Sequence, residues 1–141
     1  MRPNKFMTNI KSLLFAILFS VPLTAAAQDV VINAENFPDE KFRNYLLSQN
    51  YGADGVLTEA EIQEITSISV SRKGIGSLKG IEHFTALRWL YCDCNQLTNL
   101  DISNNTALTE LDCGVNQLPS LDVSNNTALK KLWCGDNQLT S

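Results

Sequence analysis

The sequence predicts an α/β solenoid, in which a short helical cap is followed by stacked coils whose strands form one parallel β-sheet. Two observations support this fold class. A unit of 21 residues recurs almost letter for letter in the second half of the chain, whereas residues 31–64 show no repeat and contain two helix-start patterns. The chain has 141 residues, of which 44% are hydrophobic and 18% are charged. This length allows one domain of ordinary size.

Residues 1–27 have the pattern of a secretory signal peptide. Three basic residues precede the apolar run Leu13–Val21, which is followed by the small residues Ala25–Ala27. The run is too short to cross the roughly 30 Å of membrane hydrocarbon. We expect cleavage after Ala27, no membrane span in the mature chain, and export to the extracellular space or cell surface, with the periplasm as the alternative.

The charge of the mature chain excludes one class of function. Cleavage would leave eight basic and fifteen acidic residues, a net charge of −7. Phosphate contacts need clustered Lys and Arg side chains, so we expect no binding to nucleic acid. The only histidine, His83, cannot form a histidine metal cluster or relay, and we expect neither a cofactor nor enzymatic activity.

Residues 28–64 are expected to form the cap. Pro38, Asp39 and Glu40 are typical of the first turn of a helix, and the pattern from Thr58 to Glu61 is a capping box that begins a second helix. A solenoid exposes an apolar layer at its end, and a helical cap would cover that layer.

The loop between these two helices has the spacing of an EF-hand calcium loop. Its ligand positions fall on Asn50, Asp54, Val56 and Glu61. Two carboxylates are too few to hold calcium tightly, and Gly52 supplies no side chain at the third position. We therefore expect an EF-hand-like cap that keeps the geometry without the metal, so that millimolar calcium leaves the melting temperature unchanged.

Residues 65–141 are predicted to form about three and a half coils, the last one incomplete. The pattern Leu-x-Cys-x-x-Asn-x-Leu begins at Leu90, Leu111 and Leu132, and a weaker copy precedes it by 22 residues. This is the pattern of a leucine-rich repeat with cysteine at its second apolar position. Alternating residues of each strand point inward and outward, and a single coil cannot close a core alone, so the coils must stack.

Two structural ladders follow from this stacking. The cysteines at one repeat position, Cys92, Cys113 and Cys134, are expected to be free, buried thiols. The asparagines at another, Asn95, Asn116 and Asn137, are expected to satisfy backbone groups where each strand bends. Cys94 has no cysteine counterpart in later repeats and is expected near the surface. Asn104 and Asn125 match the glycosylation sequon, which we attribute to the repeat.

These motifs resemble those of internalin-type bacterial leucine-rich-repeat proteins, especially the cysteine-bearing, internalin J-like type and its Bacteroidetes relatives. The resemblance rests on Asn36–Asp39, the degenerate calcium loop, Gly74–Glu82 and the 21-residue repeats, and it covers roughly residues 31–141. It implies a helical cap followed by a curved, right-handed solenoid whose concave face carries the parallel sheet. It also implies that this face binds a protein ligand, such as a host surface molecule.

Strand alternation predicts which side chains line that concave face. The expected ligand-binding residues combine aromatic and charged side chains: Trp89, Tyr91, Asp93, Glu110, Asp112, Lys131 and Trp133. Exposed aromatic residues beside charges are typical of protein-binding and sugar-binding sites. The alternative is that Trp89 and Trp133 only cover apolar surface or contact the cap.

Three functions remain open at this stage. The first is a secreted or cell-surface recognition module without enzymatic activity, which binds protein. The second is a glycan-binding surface protein. The third is a truncated fragment of a longer adhesin with little function of its own, because the sequence stops within a repeat at Ser141. The strand that begins at Leu132 would then be an open edge, which favours edge-to-edge self-association.

Overall fold

The computed structural model describes residues 28–140. The predicted signal peptide, residues 1–27, lies outside the described residues. The described chain begins with a small helical region and continues into a run of coils that share one β-sheet. Within residues 28–140, neither α-helix is long and apolar enough to cross a lipid bilayer.

The N-terminal region contains two helices and a two-stranded sheet. Helix α1 spans Glu40–Leu47 and helix α2 spans Glu59–Glu64. Strand β1, Val30–Val31, pairs antiparallel with strand β2, Val56–Leu57. A short 3-10 helix, Asn50–Gly52, lies between α1 and β2.

Both helices begin where the sequence signals their start. The Asp39 carboxylate accepts hydrogen bonds from the first backbone N–H groups of α1, and the hydroxyl of Thr58 forms a reciprocal capping box with Glu61. These bonds satisfy N–H groups that a helix leaves without an intrahelical partner.

Aromatic packing joins this region to the first coil. The ring of Phe37 is completely buried, with its centre 5.8 Å from the ring of Phe42 in α1 and 6.4 Å from that of Phe84 in the coil. Gly80 makes the close approach possible, because a Cβ atom there would lie 2.2 Å from Cδ1 of Phe37. Gly80 also has a φ of 104°, which disfavours any residue with a side chain.

The coils form a four-stranded parallel sheet. Its strands are β3 (Ser67–Ser69), β4 (Trp89–Tyr91), β5 (Glu110–Asp112) and β6 (Lys131–Trp133), in that spatial order. Ile68 is opposite Leu90, Leu90 is opposite Leu111, and Leu111 is opposite Leu132. Each strand therefore pairs with its own repeat copy, as expected for a leucine-rich-repeat fold.

At the inward-pointing strand position, burial is complete in the first three coils but not in the last. Ile68, Leu90 and Leu111 are fully buried, whereas Leu132 at the same position is 40% exposed. The expectation that three cysteines are buried is therefore wrong for Cys134, which is only half-buried. The apolar residues after β5, Leu121, Val123 and Leu129, are also partly exposed. Only the side of these residues that faces the preceding coil is covered by another described coil.

The first asparagine ladder ties each coil to the next. Nδ2 of Asn116 donates to the carbonyl of Cys113 in its own coil at 3.0 Å and to that of Cys92 in the preceding coil at 3.1 Å. Its Oδ1 accepts from the backbone N–H of Leu97 at 3.0 Å. Asn95 and Asn137 make equivalent bonds. A hydrophobic residue could not satisfy these groups.

A second asparagine ladder was missed by the sequence analysis. Asn105 is completely buried, and its Nδ2 donates to the carbonyls of Ile81 and Phe84. Asn126 repeats this arrangement one coil later, against Ile102 and Asn105. The neighbouring sequon residues, Asn104 and Asn125, are exposed. The signal in the sequence is the Asn-Asn-Thr segment, which recurs with the repeat.

Cys94 occupies a backbone position that recurs in every coil. Arg72, Cys94, Val115 and Asp136 all adopt left-handed conformations, with φ between 53° and 58°. Residues other than glycine, asparagine and aspartate rarely adopt this conformation. Cys94 therefore departs from the repeat in residue type but not in backbone geometry.

Candidate functional site

The predicted ligand-binding residues lie together on one face of the four-stranded sheet, which we name the exposed sheet face. It consists of the outward-pointing residues of β3–β6 together with Asp93, the second residue after β4. Register places Trp89, Glu110 and Lys131 in one row across the strands. Tyr91, Asp112 and Trp133 form the next row.

Two serine residues of β3 complete these rows. Ser67 is opposite Trp89 and Ser69 is opposite Tyr91, so both belong to the same face. They were not among the predicted ligand-binding residues, although the weaker repeat copy 22 residues before Leu90 contains them. Their 22-residue offset from β4 was the available signal.

The aromatic side chains of this face are accessible to solvent. Trp89 is 36% exposed and Trp133 is 47% exposed, while Tyr91 is half-buried. Large exposed side chains of this kind are the usual anchors of protein interfaces. Trp133 is therefore available to a ligand from the sheet side.

A small polar network fixes the middle of the face. Nζ of Lys131 lies 2.8 Å from Oε1 of Glu110, and the Tyr91 hydroxyl donates to Oε2 of Glu110 at 3.1 Å. The hydrogen bond from Lys131 lowers the pKa of Glu110 and raises that of Lys131. Lys131 is exposed and Glu110 is partly exposed, so the pair orients these side chains more than it stabilises the fold.

The two aspartates of the face are bound only by neutral donors. Oδ1 of Asp112 accepts from the backbone N–H of Gly114 at 3.1 Å. The Asp93 carboxylate accepts from the Ser71 hydroxyl. Both aspartates are partly exposed. Their charges therefore remain available at the surface.

The predicted calcium-loop residues are engaged in local structure. Asn50 begins the short 3-10 helix, and Val56 belongs to β2. The Asp54 carboxylate accepts from the N–H of Val56 at 3.0 Å, and Oε2 of Glu61 accepts from the N–H of Thr58 at 2.9 Å. Glu61 thus serves as the capping-box carboxylate. Among residues 28–140 there is no group of three or more His, Cys, Asp or Glu side chains placed to hold a metal ion.

The structure contains no disulfide among its four cysteines, and they differ in burial. Cys92 and Cys113 are buried, whereas Cys94 and Cys134 are partly exposed. Burial raises the pKa of Cys92 well above its usual value and that of Cys113 to about 12. These two thiols stay protonated and act as small apolar groups in the core.

Comparison with known proteins identifies proteins that share this architecture. No protein-family model matches the chain. Internalin J of Listeria monocytogenes serotype 4b is 37% identical over 70 residues, which cover 49% of this chain and 8% of that protein. The solved functional domain of internalin J, which includes a cysteine ladder, superposes with a TM-score of 0.73 at 34% identity, over 82% of this chain and 26% of that one.

In sequence and in fold, the chain is similar to internalin-type leucine-rich-repeat proteins. A second internalin of the same species, internalin F, superposes with a TM-score of 0.71 at 28% identity, over 84% of this chain and 36% of that structure. The chain therefore spans less than half the length of these internalins.

Proposed function

We propose that this internalin-type chain is a secreted or cell-surface recognition module, without enzymatic activity, that binds a protein ligand through the exposed sheet face. The curved geometry expected for such solenoids would make this face concave. The observation that carries the proposal is the exposure of Trp89 and Trp133 on the sheet. The apolar residues that point the other way from β3, β4 and β5 are fully buried: Ile68, Leu90 and Leu111.

The exposed area of these tryptophans supports a binding role. Tryptophan is usually well covered in folded proteins, and an indole that is nearly half exposed leaves much apolar area in water. The half-buried Tyr91 and the Lys131–Glu110 pair lie between them and supply hydrogen-bonding groups. Aromatic anchors mixed with polar groups favour a binding surface over a merely solvated one.

Binding to cultured epithelial cells tests the proposal. We expect fluorescently labelled protein, expressed from Gln28, to bind the cells saturably, and pretreatment of the cells with protease to remove that binding. Trp133→Ala and Tyr91→Ala should each reduce binding at least about tenfold, the effect expected for an interface anchor. Their melting temperatures should stay close to that of the unmodified protein.

Val31→Ala is the matched control, because Val31 is 49% exposed but lies in β1, away from the four-stranded sheet. Its binding should be unchanged. Loss of stability in Trp133→Ala would instead identify the indole as a packing residue and contradict the proposal. Binding that survives protease but is lost after glycosidase treatment would favour the second candidate, a glycan ligand, for which exposed tryptophans are also suited.

A further inference from the structure

The charges of the exposed sheet face are not balanced within the chain. Among residues 28–140, the one ion pair joins Lys131 to Glu110. The carboxylate of Glu110 is thus compensated, and it also accepts a hydrogen bond from Tyr91. Asp93 and Asp112 have only neutral hydrogen-bond donors. Two negative charges on this face therefore lack a cationic partner.

These two charges lie next to the exposed aromatic side chains. Asp112 is directly opposite Trp133 in the parallel register, and Tyr91 is its neighbour on the other side. Asp93 is the second residue after the strand that contains Tyr91. Adjacent parallel strands lie roughly 4.8 Å apart, so one ligand side chain can reach both an aromatic ring and a carboxylate.

A glycine keeps the space beside Trp133 open. Gly114 and Gly135 are the second residues after Asp112 and Trp133 in their coils. A Cβ atom built on Gly135 would meet no other atom within 4 Å, and one on Gly114 would lie 3.3 Å from Oδ1 of Asp112. Gly114 is buried, and a Cβ atom on it would also lie 3.4 Å from the carbonyl oxygen of Gly135, whereas Gly135 is exposed. The bare backbone that a ligand side chain can approach is therefore that of Gly135, next to Trp133.

We propose that the exposed sheet face binds a basic segment of a protein partner, with an arginine side chain lying between the Trp133 indole and the Asp112 carboxylate. This rests on the proposed function, that this face binds protein, and adds the chemistry of the partner. A planar guanidinium stacks on an indole and donates to a carboxylate at the same time. Asp93 supplies the second charge for a neighbouring basic residue.

The overall charge agrees with this partner. From Gln28 onward the chain has eight basic and fifteen acidic residues. A negative surface attracts basic segments at long range and repels acidic ones, and this attraction weakens as salt increases. An acidic or neutral partner would leave Asp93 and Asp112 uncompensated in the interface, at a cost in affinity.

NMR titration of isotope-labelled protein from Gln28 tests the partner chemistry with a defined probe. The probe is the acetylated and amidated peptide Gly-Arg-Gly-Arg-Gly. The chain has only two tryptophans, so the two indole N–H resonances can be assigned with Trp89→Phe and Trp133→Phe. We expect the peptide to shift the Trp133 indole and the backbone N–H groups of Gly114 and Gly135 most.

Charge-neutral variants then measure the contribution of each carboxylate. Asp112→Asn keeps an oxygen for the Gly114 N–H and should weaken binding of the peptide about threefold, as expected for one partly exposed ion pair. Asp93→Asn combined with Asp112→Asn should weaken it about tenfold, and about 0.5 M NaCl should have a comparable effect.

Asp122→Asn is the matched control, because Asp122 is exposed, lies outside the sheet and loses the same charge. It should leave binding unchanged, and the peptide Gly-Glu-Gly-Glu-Gly should produce no shifts. Equal weakening by Asp112→Asn and Asp122→Asn, or shifts spread over acidic residues throughout the chain, would show unspecific attraction and overturn the proposal. If the basic peptide does not bind but Trp133→Ala still abolishes binding to cells, the proposed function stands and the basic partner is wrong.

Discussion

The coil that follows the cap and the last described coil differ in burial although both follow the same repeat. In the first, Ile68, Val70 and Ile75 are completely buried between the cap and the next coil. In the last, Leu132 is 40% exposed and Cys134 is half-buried. The difference shows that the burial of a coil, and hence its stability, depends on its two neighbouring coils and not only on its own sequence.

Truncating the same leucine in two coils should give the largest difference. Leu111→Ala removes a fully buried side chain and should cost about 3 kcal/mol in the free energy of unfolding. Leu132→Ala removes a partly exposed one at the same repeat position and should cost about 1 kcal/mol. Urea denaturation monitored by circular dichroism measures both values. Equal costs would break the comparison.

Removing an asparagine of the first ladder should likewise cost more stability in an inner coil than in the last one, with a smaller difference than for leucine. Asn116→Ala leaves the buried N–H of Leu97 without its acceptor and removes one of the two asparagine donors to each carbonyl of Cys92 and Cys113, so it should cost about 2 kcal/mol. Asn137 is only half-buried, and water can replace part of its bonds, so Asn137→Ala should cost about 1 kcal/mol or less. Chemical denaturation of the two variants, side by side, checks this. A larger loss for Asn137→Ala would contradict the account.

At the other end of the solenoid, Asp39 connects the cap to the first coil through hydrogen bonds. Its Oδ1 caps α1, and its Oδ2 accepts from the backbone N–H groups of Gly76 and Ser77 in the first coil. Asn can keep the cap with one oxygen but lacks the second acceptor. We therefore expect Asp39→Ala to cost about 2 kcal/mol and Asp39→Asn about 1 kcal/mol at neutral pH.

The pH dependence of this contribution has a defined direction. Burial alone would raise the pKa of Asp39, but four backbone N–H donors outweigh it and lower the pKa below the usual 3.8. The stabilisation is therefore complete above that value and is lost as the pH falls through the lowered pKa. The stability difference between the unmodified protein and Asp39→Asn should shrink toward pH 2. A difference that grows in acid would refute this role.

The stability effect of a substitution at the left-handed backbone position should not depend on how deeply its coil is buried. Val115 and Asp136 have almost the same φ, 53° and 54°, although their coils differ in burial. Val115 is β-branched and 49% exposed, so Val115→Asn should relieve backbone strain and stabilise the protein by about 1 kcal/mol. Val31→Asn, in a strand, is the control and should not stabilise. Thermal denaturation is sufficient to detect the gain.

The sequence predicted the repeat units because each copy of Leu-x-Cys-x-x-Asn-x-Leu places one side chain inward at a fixed spacing. It also predicted both helix starts, since Asp39 and Thr58 act through bonds a few residues away. It did not predict the second ladder at Asn105, whose partners are in the preceding coil. Partial exposure of Cys134 was also missed, because burial depends on neighbouring coils and not on the local pattern. The ligand-binding role of the exposed sheet face stays a prediction.

Native-state hydrogen exchange tests most directly the claim that neighbouring coils stabilise one another. The backbone N–H groups of Cys92 and Cys113 both donate across coils, at 2.7 Å to Asp112 and 2.8 Å to Trp133, so their hydrogen-bond geometry is matched. We predict that the N–H of Cys92, which joins the coils of β4 and β5, exchanges only near global unfolding. The N–H of Cys113 is bonded to the last described coil, so it should exchange through a local opening of lower free energy. Equal opening free energies at the two sites would contradict the claim.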